Sequence, residues 1–223
     1  MSKATISLVF LCLSFPMHVD AQRRFFVGGV AGVSTLSADT QTSISPGTVA
    51  FSTYRPFNGA AVNLFSGGLL NDYISIQGNY VWNRNDITAT LSSASPGSFA
   101  VNEEQRDSSQ HSGILDLLLY FRSRESWARP YLSVGGGVIW FKSERRAFLN
   151  RTGTVGELPL EFTSNEIGLR VAVGIDVRIR QGLSLRYTFS ETIRGNPVSS
   201  RLSPIGERNL ANFQSLVGIV KYF

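Results

Sequence analysis

Residues 166–180 read EIGLRVAVGIDVRIR, and this stretch decides the fold. Ile167, Leu169, Val171, Val173, Ile175, Val177 and Ile179 alternate with Gly168, Arg170, Ala172, Gly174, Asp176 and Arg178. One row is wholly aliphatic, and the other is small or charged. A helix, with its period of 3.6, cannot sort residues in this way, whereas a strand with period 2 must. A short turn at Gln181-Gly182 leads into a second such strand. In it Leu183, Leu185, Tyr187 and Phe189 oppose Ser184, Arg186, Thr188 and Ser190. If the turn keeps the two strands in phase, Asp176 lies opposite Arg186, and an ion pair is expected there.

The same alternation recurs upstream. Leu115, Leu117, Leu119 and Phe121 oppose Asp116 and Tyr120. Leu132, Val134, Val138 and Trp140 oppose Ser133, Gly135 and Gly137, and Ile74, Ile76, Tyr80 and Trp82 oppose Ser75, Gln77 and Asn79. Weaker candidates run from Phe25 to Thr35 and from Gly59 to Ser66, and a last strand runs from about Leu210 to Phe223. Eight strands result, each near the roughly 9–11 residues that a tilted strand needs to cross a bilayer. The connections alternate between long polar stretches near 36–56, 85–110, 143–163 and 194–209 and short ones near 67–72, 122–129 and 180–182. Four long loops and three short turns are the pattern of an outer-membrane barrel. Turn chemistry lies in the long stretches, at Ser45-Pro46-Gly47, Ser95-Pro96-Gly97, Gly195-Asn196-Pro197 and Ser203-Pro204.

The expected fold is therefore all-β: an eight-stranded antiparallel up-and-down transmembrane β-barrel with a filled polar lumen. Alternation alone would also suit a soluble barrel with its apolar face inside. Two features favour the inverted arrangement. Aromatics gather at strand ends: Trp82, Trp140 and Phe141 toward the long loops, and Tyr73, Phe121, Trp127 and Tyr131 toward the short turns. Such rings suit membrane interfaces. The rows opposite the aliphatic ones are rich in Gly, Ser and Ala, which suits the narrow interior of an eight-stranded barrel. Arg at the lipid midplane costs about 2–4 kcal/mol. Asp116, Arg170, Asp176, Arg178 and Arg186 are accordingly placed in the lumen as a polar network that fills it.

The beginning of the chain fits export. Lys3 precedes an apolar run, Ile6 to Phe15, that Pro16 breaks, and Val19-Asp20-Ala21 offers a small residue at a cleavage point. Residues 1–21 are read as a signal peptide cleaved after Ala21, and residues 22–223 as the barrel. The run is too short to span a bilayer as a helix, which needs about 20 residues. Cys12, the one cysteine of the chain, leaves with the signal, so the mature protein has no disulfide. Charged residues make up 17% of the chain, below the roughly 25% of soluble domains. Mean hydropathy is +0.02, which excludes a helical membrane protein. The net charge of +5 comes from scattered arginines, not from the basic stripe that nucleic acid requires.

Residues 129–138 (RPYLSVGGGV), 173–179 (VGIDVRI), 183–187 (LSLRY) and 217–223 (VGIVKYF) together resemble the outer-membrane β-barrel domain family, which includes the transmembrane part of outer membrane protein A and outer membrane protein X. The resemblance covers the mature chain, best from Arg129 onward. It implies a monomer in the bacterial outer membrane, in contact with its lipids and lipopolysaccharide. It also implies that the barrel-assembly machinery, with periplasmic chaperones, reads Phe223, Ile219 and Val217. Lys221 departs from the family pattern of an aromatic or aliphatic residue at that position.

Catalytic and metal chemistry find little support. A lipid-modifying hydrolase needs a serine, a histidine base and a carboxylate. His111, the one histidine of the mature chain, adjoins Ser112, and neighbours on a strand point to opposite faces. Glu103, Glu104 and Asp107 near His111 show no ligand spacing. The glycines at 135–137 lack the strand-to-helix context of a phosphate loop. No catalytic residue, metal or cofactor is assigned. Arg145, Arg146 and Arg151 follow Trp140, and Arg194, Arg201 and Arg208 lie in the last long stretch. These arginines are candidates to pair with lipopolysaccharide phosphates. The leading expectation is a non-catalytic outer-membrane barrel with a structural or surface-interaction role through four long extracellular loops. A narrow small-solute channel, a lipid A-modifying enzyme and a soluble periplasmic ligand-binding barrel remain alternatives.

Overall fold

A computed structural model of the chain describes residues 25–36, 40–153, 157–196 and 209–223. The proposed signal peptide, Pro197, Arg201, Ser203-Pro204 and Arg208 lie outside these residues. The chain forms strands β1 (Phe25–Leu36), β2 (Thr40–Ser45), β3 (Thr48–Pro56), β4 (Gly59–Leu69), β5 (Ile74–Ser95), β6 (Ser98–Tyr120), β7 (Ala128–Thr152), β8 (Glu161–Arg180), β9 (Leu183–Gly195) and β10 (Asn209–Tyr222). Eight of them, β1, β4, β5, β6, β7, β8, β9 and β10, pair in antiparallel order, and β10 returns to β1 to close a ring. Lys221 faces Val27 across that seam, and the Phe223 N–H donates to the Phe25 carbonyl at 2.8 Å. Closure leaves the membrane-spanning wall without an edge strand, as a lipid-embedded backbone requires.

Parity divides the wall as the sequence predicts. Ile167, Leu169, Val171, Val173, Leu185, Tyr187, Phe189, Leu115, Leu117 and Leu119 are exposed on the outer face. Gln77, Asp116, Ser133, Arg170, Asp176, Ser184, Arg186 and Thr188 are buried inside. This is the reverse of a soluble barrel, and a continuous aliphatic outer band suits only a lipid surround.

Three of the four polar stretches expected to be loops, 36–56, 85–110 and 143–163, are largely strand, and most of 194–209 lies outside the described residues. β5 and β6 run on past Trp82 and His111 to a tight turn at Pro96-Gly97, where Gly97 takes φ +78. β7 continues to Thr152, and β2–β3 is a hairpin whose second strand pairs with the distal half of β5. At about 3.3 Å per residue and a tilt near 45°, the β5 segment from Trp82 to Ser95 raises the wall by about 30 Å.

In this upper section the apolar residues change sides. Ile87, Ala89 and Leu91 are buried inside, where they join Leu36, Tyr54, Phe141, Leu158, Phe162 and Leu210 in a core. Thr88 and Thr90 take the outer face. Water, not lipid, surrounds this part, so the ordinary rule of apolar-in and polar-out returns. A water-soluble barrel wall therefore continues directly from a lipid-soluble one along the same strands.

Candidate functional site

Four of the five residues assigned to the lumen network meet there. Asp176 and Arg186 are directly paired across β8 and β9. Arg186 donates from Nε to Asp176 Oδ1 at 2.6 Å and from one terminal nitrogen to Oδ2 at 2.7 Å. Its other terminal nitrogen donates to Gln77 Oε1 at 2.6 Å on the opposite wall. Tyr222 Oη donates to Asp176 Oδ2 at 2.6 Å, and Tyr120 Oη does so at 3.3 Å. The guanidinium carbon lies 4.7 Å from the Phe65 ring centre, 5.0 Å from Tyr131 and 5.7 Å from Phe26. Asp116 pairs with Arg170 at 2.5 Å and accepts from Asn79 Nδ2 at 3.1 Å. Buried charges persist only when paired and hydrogen-bonded, and these are. Bonds from β5, β6, β8, β9 and β10 converge on one point, so the lumen is bridged from wall to wall.

Arg178 is not part of this network. It has lumen parity, but it stands three residues before the turn at Gln181-Gly182, where the barrel opens to solvent. Its side chain is exposed and donates to the Arg124 carbonyl.

The aromatic girdle also needs correction. Trp82, His111 and Trp140 form a lateral row on the outer face, paired in register across β5, β6 and β7. Tyr80 Oη lies 2.7 Å from His111 Nδ1, which places His111 in the upper girdle. At the other end Phe25, Tyr73, Phe121, Trp127 and Phe223 are exposed. Phe141 and Tyr131, expected in the girdle, are 2% and 4% exposed and point inward. Each adjoins an outward residue, Trp140 and Leu132 respectively, and a strand cannot turn neighbours to the same side. Phe141 packs in the upper core, and Tyr131 Oη bonds Thr188 Oγ1 at 2.6 Å. His111 and Ser112 fall on opposite faces by the same rule, and Ser112 is buried in the lumen.

The three arginines after Trp140 separate. Arg146 and Arg151 are exposed, but Arg145 shares the inward parity of Phe141. Arg145 and Arg106 flank the fully buried Glu104, at 2.6 and 2.7 Å, and Arg106 also donates to the Pro159 carbonyl at 2.9 Å. This buried triad ties the segment before β8 to the wall. Sequence reading missed it, although parity counted along β6 from Asp116 would have placed Glu104 and Arg106 inside. Phe223, Ile219 and Val217 share the outer face with Lys221, whose Nζ lies 5.9 Å from the Phe223 ring centre. Among the described residues no group of three or more His, Cys, Asp or Glu is arranged to hold a metal ion.

Comparison with known proteins agrees with this architecture. The model for the outer membrane protein beta-barrel domain matches residues 4–217. Neisserial surface protein A is similar in structure at 14% identity, with 89% of this chain and 97% of that chain covered and a TM-score of 0.52. OprG of Pseudomonas aeruginosa aligns at 14% identity, over 89% of this chain and 94% of that one, with a TM-score of 0.49. Ail, the attachment invasion locus protein of Yersinia pestis, aligns at 8% identity, over 91% and 100%, with a TM-score of 0.45. No curated protein sequence matches the chain. The family match spans nearly the whole sequence, and the structure supplies the closed eight-stranded ring with its apolar outer band: the chain belongs to the outer-membrane β-barrel domain family.

Proposed function

We propose that this protein is a non-catalytic barrel of the bacterial outer membrane, exported with cleavage after Ala21, that acts through its projecting upper wall and not through its lumen. The observation that carries this reading is the bridged interior. The Asp176–Arg186 pair, with Gln77, Tyr120 and Tyr222, occupies the cross-section that a solute would need. Above it the lumen is packed again by the apolar core around Phe141 and Phe162. A barrel closed twice offers a solute no continuous path, and above the bridge its accessible chemistry lies on the outside.

That outside surface begins just above the Trp82–His111–Trp140 row. Arg84 and Arg146 flank Asp107 there, at 3.1 and 3.9 Å, and Arg151 stands higher, beside Glu157. Exposed guanidinium groups at the level of the outer leaflet suit lipopolysaccharide phosphates. The amended candidate contact is Arg84, Arg146 and Arg151, without the buried Arg145. In micelles doped with lipopolysaccharide, R84E/R146E/R151E should bind at least tenfold more weakly than the parent. Equal binding at low and high salt would overturn this contact.

A further inference from the structure

The mouth at the short-turn end holds a cavity of about 770 Å³. Its lining includes Arg124, Arg129, Arg178, Asp72, Trp127 and Tyr222. The carboxylates there are already engaged: Asp72 with Arg124 at 2.7 Å, and Asp176, at the floor, with Arg186. Arg129 and Arg178 have no carboxylate partner among the described residues. Arg129 donates to the Asp72 carbonyl at 2.9 Å, and Arg178 donates to the Arg124 carbonyl. Arg129 is 6% exposed, its guanidinium carbon lies 3.8 Å from the Tyr120 ring centre, and its Nε has no hydrogen-bond partner among the described residues. A buried cation without a carboxylate partner is costly unless an anion or water faces it. Glu125 is the one acidic side chain of the lining not committed to an arginine, against two such arginines, so the cavity is net positive. Arg122, Arg180 and Lys221 stand exposed around the same end and extend that field.

We propose that this mouth is a binding site for a phosphate group, with Arg129 as the buried anchor and Arg178 as the rim contact. The planar guanidinium fork matches an oxyanion in two-point contact, and two forks on one cavity match a tetrahedral one. Trp127, 67% exposed, lines the same cavity at the level of the inner leaflet. The phosphate could therefore be supplied either free in the periplasm or on a phospholipid headgroup.

The test uses the full chain folded in maltoside micelles, which carry no phosphate, and titrates inorganic phosphate by calorimetry. Wild type should bind saturably. R178Q, which alters an exposed side chain and leaves the fold intact by heat-modifiable gel mobility, should bind at least tenfold more weakly. R129Q should do the same, while R55Q, at an exposed side chain of β3 at the opposite end, should bind as wild type. Competition by short-chain phosphatidylglycerol identifies the headgroup as the source, and its absence identifies free phosphate; either supports the site. Absence of saturable phosphate binding, equal affinity in R178Q and wild type, or binding of an acidic peptide alone would overturn it.

Discussion

Replacing Asp176 with Asn removes one charge from the centre of the lumen and little else. The carboxylate accepts two bonds from Arg186, at 2.6 and 2.7 Å, and two from Tyr222 and Tyr120, at 2.6 and 3.3 Å. Each bond to Arg186 is charge-assisted, worth about 1.5–3 kcal/mol. Breaking a buried ion pair by changing one partner costs about 3–5 kcal/mol. The rings of Phe26, Phe65 and Tyr131 remain around the guanidinium, and a desolvated cation–π contact returns up to about 2 kcal/mol. The lower end of the range is therefore expected, near 3 kcal/mol. The double variant D176L/R186M replaces the pair with apolar side chains of similar size; it removes the charges' desolvation cost but leaves Tyr120, Tyr222 and Gln77 without these partners, so it should be less destabilised than the two single variants added together. Reversible urea unfolding in lipid vesicles, followed by tryptophan fluorescence and gel mobility, gives all the terms of the double-mutant cycle. A loss below about 1 kcal/mol for D176N, or a double variant as unstable as the two singles added together, would refute the reasoning.

Other outcomes follow from the same structure. A Cβ on Gly137 would sit 1.9 Å from the Gly113 carbonyl oxygen and 2.7 Å from Ile114 Cα, so Gly137→Ala should cost about 1–3 kcal/mol in the same assay. Gly136→Ala, whose nearest new neighbour is 3.4 Å away, should stay within about 1 kcal/mol of wild type. Glu104→Gln leaves Arg106 and Arg145 facing each other without the buried carboxylate between them, a loss of about 3 kcal/mol. That loss should be local, with limited proteolysis between β7 and β8 at least tenfold faster and the bilayer portion still heat-modifiable. Phe223→Ala should lower the assembled fraction in cells and Lys221→Leu should raise it, scored by heat-modifiable mobility of outer-membrane fractions.

The spanning half of the barrel was legible because lipid imposes the strongest contrast a strand can show. From Ile167 to Ile179 in β8 the outer row is Ile, Leu and Val without exception, so parity, lumen residues and the Asp176–Arg186 partnership follow from counting by twos. The upper wall was not legible for the complementary reason. Beyond Trp82 the outer face meets water, and the contrast falls to Ile87, Ala89 and Leu91 against Thr88, Thr90 and Ser92. That weak alternation looks like a polar loop unless the reader allows the apolar face to change sides. Phe141, Tyr131 and Arg145 were misplaced by position near a strand end, where parity from Trp140 and Leu132 would have turned all three inward. The Arg129–Arg178 cavity could not be read from sequence at all, because it depends on where the turn after Tyr120 folds against the end of β8.

The central claim is that the lumen is closed, and single-channel recording of the purified chain in planar bilayers tests it most directly. The account predicts a silent baseline in concentrated potassium chloride for wild type over long recordings at moderate voltage. Discrete, reproducible conductance steps from wild type, altered in size by substitution of Asp176 or Arg186, would contradict it.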